Sequence, residues 1–171
     1  MASHSVVVVG AGLAGLDTAA ALRGRGYEGR ITLVGDEPSG PCDRPPLSKG
    51  YLAGTTAAAD IALRPPSFYA AQDIQLLSGD RASSVDRERR TVLLESGLRL
   101  PYGALVLATG CRPRTLPVPG ASLAGVLCCA AWPTRRTCGC GSAGRPAASS
   151  WSAPGSSVSR WRPPRVASAT R

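Results

Sequence analysis

Four β-branched apolar residues in a row, Val6–Val9, stand between Ser5 and Gly10. A run that short, apolar at every position, predicts a strand buried on both faces of a parallel sheet. After the next glycines, Leu16, Ala19, Ala20 and Leu22 fall on one face of a helix that ends near Gly24–Gly26. Ile31–Val34 is a second short β run. Later, Arg81–Asp86, Thr91–Leu94 and Leu98–Leu100 are separated by turn signals at Arg87–Arg90 and Ser96-Gly97, which predicts an antiparallel meander. Ala104–Ala108 is another buried strand, running into Thr109-Gly110. The pattern predicts an α/β fold over residues 1–127, a Rossmann-like domain with a parallel sheet and an antiparallel β-meander. Beyond Leu127 neither the helical nor the strand period continues.

Composition divides at the same place. The formal charge of the 171 residues is +9, which alone would suggest a nucleic-acid or membrane-surface partner. Residues 1–127 hold 13 Lys+Arg against 11 Asp+Glu, whereas residues 128–171 hold seven arginines and no acid. The basicity therefore belongs to the tail, and arginines without ordered aromatic platforms or a groove-reading element are weak support for nucleic-acid binding. No apolar run approaches the ~20 residues of a membrane span, and the start lacks a cationic n-region and long h-region. The expectation is a soluble cytoplasmic chain without a nucleic-acid or membrane partner. Cys42 and Cys111, the two cysteines before the tail, suggest no disulfide framework.

The turn after the first strand reads Gly10-Ala11-Gly12-Leu13-Ala14-Gly15. Gly10 permits the tight turn, Gly12 lets the backbone approach a pyrophosphate, and Gly15 lets helix and strand pack closely. The helix N-terminus offers N–H groups and a positive dipole end to phosphates. Asp36-Glu37, about 20 residues on at the end of the second strand, supply an acid for the ribose hydroxyls. Strand, glycine turn, helix and acid together predict nucleotide binding; the alternative is a purely structural βαβ turn. Thr109-Gly110 would bring small residues to the same place, or simply end a strand.

The segments "VVVVGAGLAGLDTAAALRGRGYEGRITLVGDEPSGPCDRPPLSKGYLAG", "FYAAQDIQLL" and "LVLATGCRPRTLPVPG" resemble the FAD half of the ferredoxin reductases of the putidaredoxin and rhodocoxin reductase type, within the pyridine nucleotide-disulfide oxidoreductases. The resemblance covers about residues 5–127, and "RPPLSK" at Arg44–Lys49 is its most specific piece. It implies electron transfer from NAD(P)H through FAD to a two-iron two-sulfur ferredoxin, and onward to a cytochrome P450 or a dioxygenase. It assigns Gly10, Gly12, Ala14 and Gly15 to the FAD pyrophosphate and Asp36 with Glu37 to the ribose, Asp36 being the first choice of the two. Arg44 and Pro45 would lie along the flavin, and Ala82 would contact the adenine side by its backbone. Thr109 and Gly110 would close the pocket. Lys49 would place its ammonium near the flavin ring and stabilise negative charge as the ring is reduced; the alternative is a solvated surface lysine.

Two departures matter. Disulfide reductases of the same fold carry a second cysteine about five residues after the first, but position 47 is Leu47, so Cys42 has no such partner. Cys42 also replaces the aromatic residue that the resemblance leads one to expect before Asp43-Arg44. With His4 the only histidine, Cys111 lacks a base for nucleophilic work.

After Gly125-Val126 the resemblance implies a Leu-Arg-rich helix and a second glycine fingerprint for NAD(P)H. The chain instead runs "LCCAAWPTRRTCGCGSAGRPAASSWSAPGSSVSRWRPPRVASATR", a mixture poor in core formers. Residues 128–171 are expected to be a disordered basic tail. Their cysteines lack paired C-x-x-C spacing and histidines, so no metal site is expected. GC-rich codons for Ala148–Val158, regrouped one base earlier, read Val-Val-Val-Val-Gly-Ala-Gly, two open residues, then Gly. The same regrouping of Cys128–Thr137 can give Leu-Arg-Ser-Leu-Ala-Asp-Ala-Glu-Asp. The expectation is a frame change near Leu127–Cys128 that replaces the NAD(P)H-binding and C-terminal domains and leaves a truncated, inactive reductase; the alternative is a non-enzymatic FAD- or adenine-nucleotide-binding fragment.

Overall fold

The computed structural model describes residues 4–112, 114, 117–121 and 123, and the backbone of residues 150–151 and 159–160. The Val6–Val9 run lies within strand β1, Ser5–Val9, followed by helix α1, Leu13–Gly24, and strand β2, Arg30–Gly35. Strand β3, Ile74–Ser78, comes next, and strand β7, Ala104–Leu107, closes the sheet. The four strands are parallel in the order β3-β2-β1-β7. Between β2 and β3 lie 3-10 turns at Pro45–Ser48 and Ala59–Ile61 and two short helices, α2 at Gly50–Ala53 and α3 at Pro66–Ala71. Strands β4, Ala82–Asp86, β5, Thr91–Leu94, and β6, Arg99–Pro101, form the antiparallel meander.

Because successive side chains of a strand point to opposite faces, β1 serves two layers at once. Val6 and Val8 join Leu16 and Ala19 of α1, Ile31 and Leu33 of β2, Tyr69 and Ile74 in one core cluster. Val7 and Val9 join Val34, Val92, Leu94 and Tyr102 in the other, under the meander. The molecule is therefore layered helix, parallel sheet, meander. A side chain such as Ile31 or Leu33, with no exposed surface, contributes about 1.5–3 kcal/mol by leaving water. Gly15 and Ala19 let α1 lie close on the sheet, a fit that larger residues on that face would prevent.

The meander turns on local chemistry. The Asp86 carboxylate accepts the Arg89 N–H at 2.9 Å, and Arg90 takes the left-handed region at φ 50°. Gly97, at φ 89°, turns the chain back into β6. Most elements lie where the hydrophobic pattern puts them, with β6 one residue later than expected. The pattern had not indicated β3, nor the turns and short helices between Asp36 and Asp73. In the tail, Ser150–Trp151 and Ser159–Arg160 form an antiparallel pair, β8 and β9, where disorder was expected. The rest of residues 128–171, with the disorder expected of it, lies outside the described residues. Among the described residues no helix is long and apolar enough to cross a membrane.

Candidate functional site

Strand register decides where the site falls. The Gly10 N–H donates to the Val34 carbonyl at 2.8 Å, and the Ala108 N–H donates to the Val9 carbonyl at 2.7 Å. The carboxyl ends of β1, β2 and β7 are thereby held side by side, and a cleft of about 500 Å³ opens beyond them. One wall is the turn Gly10–Ala14, another is Gly35, Asp36 and Glu37 with Gly40, Cys42 and Arg44, and the third is the run 108–112.

The glycines are required by contact. Gly10 has φ +110°, and a Cβ there would fall on the Ala108 carbonyl. A Cβ on Gly15 would fall on the carbonyl of Gly10, so this residue sits directly beneath the turn. Gly12 is different: no atom lies within 4 Å of where its Cβ would be, so its bare backbone faces open space. Gly12 is also the N-cap of α1, with no side-chain cap and no acid in the first turn. The first N–H groups of that helix, which no intrahelical acceptor can satisfy, are left for an anion.

The two acids after β2 have different surroundings. Glu37 Oε1 accepts from the Arg44 guanidinium at 2.6 Å, and Glu37 Oε2 accepts from the Cys42 thiol at 3.7 Å. Asp36 is exposed and makes no side-chain hydrogen bond or ion pair among the described residues. Burial, reinforced by the negative charge of Glu37, pushes the Cys42 thiol up to about 11. It stays protonated at neutral pH and is a poor nucleophile, which agrees with the buried Leu47 standing where a second redox cysteine would be.

Of the residues expected from sequence, Gly10, Gly12, Ala14, Asp36, Glu37, Arg44, Thr109 and Gly110 line the cleft together. Pro45 opens the 3-10 turn and Lys49 follows it; both are exposed and outside the lining. Ala82 is in β4 opposite Leu94, partly buried against the meander core, and also outside the lining. Sequence reasoning had not placed Ala11, Leu13, Gly35, Gly40, Cys42, Ala108, Cys111 or Arg112 in the lining. Most of them flank the fingerprint or the Thr-Gly pair, so adjacency was the available signal. Gly40 and Cys42 carried none.

Residues 4–135 match the family model described as pyridine nucleotide-disulphide oxidoreductase. The chain belongs to that family. Among members of the pyridine nucleotide-disulphide oxidoreductase family, putidaredoxin reductase CamA of Pseudomonas putida is 53% identical over 117 residues, covering 68% of this chain and 28% of that protein. Rhodocoxin reductase of Rhodococcus erythropolis is 46% identical over 122 residues, covering 71% and 29%. The ferredoxin reductase for the CYP199A2 system of Rhodopseudomonas palustris superposes with a TM-score of 0.68 at 49% identity, covering 72% of this chain and 30% of that one. Putidaredoxin reductase in its covalent complex with putidaredoxin gives 0.65 at 52% identity, covering 70% and 29%. The chain thus spans less than a third of the length of these relatives.

Proposed function

We propose that this chain is the FAD-holding part of an NAD(P)H:ferredoxin oxidoreductase, working in a reducing cytoplasm. The carrying observation is the cradle itself: a glycine turn that no side chain could occupy at Gly10, an open backbone at Gly12, and, across the cleft, the Asp36 carboxylate, which has no side-chain partner among the described residues. These residues fit the ADP half of FAD. When bound, FAD supplies acceptance of a hydride from a nicotinamide and delivery of single electrons to an iron–sulfur partner.

The protein's own residues bind and orient. Backbone N–H groups of Gly12 and Ala14 meet the pyrophosphate at the N-terminus of α1, while Gly10 sets the turn and Gly15, buried beneath it and outside the cleft lining, lets the helix pack close. Asp36 holds the ribose hydroxyls, a role supported by its exposed carboxylate just after β2. Thr109 and Gly110 close the third wall. Arg44 and Pro45 run toward the flavin end, where the Lys49 ammonium stabilises negative charge; Ala82 offers its backbone on the adenine side. The electron acceptor is a two-iron two-sulfur ferredoxin serving a cytochrome P450 or a dioxygenase; that the acceptor is a ferredoxin-type protein is supported by the ferredoxin reductase and the putidaredoxin complex described above.

The 171-residue chain itself drives little or no NAD(P)H-dependent ferredoxin reduction, and residues 128–171 are read out of frame. Resequencing of the coding DNA tests the second statement: a clean read with no base gained or lost relative to longer relatives overturns it. The absorption spectrum of the purified chain tests the cofactor. Flavin bands, or FAD taken up in a titration, are expected; failure to take up FAD or ADP refutes the proposal. Steady ferredoxin reduction by the purified chain would refute its inactivity. ADP binding without FAD binding would favour a second reading, a non-enzymatic adenine-nucleotide module, which the position of Pro45 and Lys49 outside the cleft lining supports.

A further inference from the structure

Asp36 and Glu37 are neighbours in sequence but not in surroundings. Both oxygens of Glu37 are engaged, one by Arg44 and the other by Cys42. Its side chain is only 17% exposed, against 53% for that of Arg44. Cys42 is a firm base for it. Its backbone bridges to Ala62, the Asp43 N–H donates to the Ile61 carbonyl at 2.7 Å, and the Leu63 N–H donates to the Pro41 carbonyl at 3.0 Å. Cys42 is 5% exposed and packs with Leu47, Tyr51 and Ile61 in a core cluster separate from the two that flank the sheet. The carboxylate of Glu37 is thus tied to a packed platform, while the cation it grips sits on a long side chain that has most freedom to lose.

We propose that Glu37 is a positioning residue: seated on Cys42, it fixes the Arg44 guanidinium on the cleft wall so that Arg44 meets the phosphates of a bound nucleotide, and it does not itself hold the ribose. This rests on the nucleotide-binding reading of the cleft. A guanidinium carries five N–H donors in a planar fork, enough to serve a carboxylate on one edge and a phosphate oxygen on another. The pairing also solves an electrostatic problem. A second carboxylate on the wall of a pyrophosphate site would repel the ligand, and the guanidinium neutralises it while keeping the cation aimed inward.

The test uses the full chain with Glu37→Gln, Arg44→Met, the double variant and Asp36→Asn, titrated with ADP and with adenosine. ADP carries the phosphates that Arg44 would read; adenosine carries only the ribose and base. Glu37→Gln is expected to weaken ADP about five- to tenfold, as loss of a partly exposed charge-assisted contact should, and to change adenosine by less than about twofold. In the Arg44→Met background it should weaken ADP no further, because its effect passes through Arg44, and should recover part of the loss by removing a carboxylate that nothing then neutralises. Asp36→Asn should weaken both ligands alike. Equal weakening of ADP and adenosine by Glu37→Gln, or additive losses in the double variant, overturns the proposal.

A ligand-free measurement separates this from the nucleotide reading. Alkylation of Cys42 by iodoacetamide at pH 8.5, followed peptide by peptide by mass spectrometry, should be several-fold faster in Glu37→Gln, since the carboxylate helps keep that thiol protonated. Faster alkylation with no nucleotide binding by any form would refute the nucleotide reading, and with it the role in phosphate recognition, while leaving the side-chain trio standing. Unchanged alkylation overturns the trio itself.

Discussion

Arg23, in the last turn of α1, holds together three parts of the chain with one guanidinium. Its Nε donates to the Gln72 carbonyl at 2.7 Å, one terminal nitrogen donates to the carbonyls of Tyr27 and Gly29, and the other donates to the Asp73 carbonyl at 2.7 Å. The end of α1, the loop into β2 and the turn into β3 are tied at a side chain only 10% exposed. Replacing Arg23 with Met keeps the stem and removes all four carbonyl contacts. Hydrogen bonds to a charged donor are worth about 1.5–3 kcal/mol each, but carbonyls near the surface recover water, so half or more of the gross sum is returned. The Asp73 carboxylate, 3.4 Å away and 95% exposed, adds little. Loss of the cation at the helix C-terminus adds about 0.3–1 kcal/mol. The expected cost is about 3 kcal/mol, read as a lowered urea midpoint at unchanged slope in circular dichroism. Arg23→Lys should recover little of it, because a compact ammonium cannot reach four separated carbonyls. Asp73→Asn, which suits the φ of 48° at that position, should cost under about 0.5 kcal/mol. An Arg23→Met variant within about 1 kcal/mol of the parent would refute the argument that the carbonyls depend on this clamp.

The two turn glycines should separate stability from binding. Gly10→Ala drives a Cβ onto the Ala108 carbonyl at a positive φ, so a loss of about 3 kcal/mol or more is expected in the same urea experiment. Gly12→Ala meets nothing within 4 Å and should leave stability within about 1 kcal/mol, yet weaken ADP at least about tenfold in calorimetric titration by blocking the backbone's approach. For Cys42 the sign follows from its raised value. The unfolded thiol ionises near its ordinary 9.0 and the folded one near 11, so ionisation favours the unfolded chain. Its contribution to stability is complete below about pH 9 and is lost as the pH rises toward 11; urea midpoints of a Cys42→Ala variant should fall less steeply than the parent's across that window.

What could be read from the sequence follows the strength of the local pattern. Val6–Val9 and Ile31–Val34 admit no helical phase, and their burial in the sheet follows from that alone. Strand β3 was missed because Gln75 interrupts a short apolar run that follows directly on α3. Its place is fixed from outside, by the register Ile31↔Ile74 through Gly35↔Ser78 and by the Thr32 hydroxyl, which lies 3.3 Å from the Gln75 side-chain oxygen. The segment between Asp36 and Asp73 has no period because contacts distant in sequence hold it, such as the bridge from Cys42 to Ala62. No spacing rule finds a contact of that kind.

The site divides in the same way. Gly10 and Gly15 could be read because each answers to a backbone requirement that only glycine meets, a Cβ at either falling on a carbonyl. The Glu37–Arg44 pair could not, since it spans seven residues across a turn at Gly40, φ 78°. Side chains that follow one another along extended chain leave on opposite sides, the rule that sends Val6 and Val8 to the helix layer and Val7 and Val9 to the meander. Past Gly35, where β2 ends, the chain bends at Asp36 and that rule lapses, so the different neighbours of the two carboxylates had no signal in the strand. The pair Asp36-Glu37 is better understood as one exposed acid and one acid locked to Arg44 and Cys42 than as two candidates for a single contact.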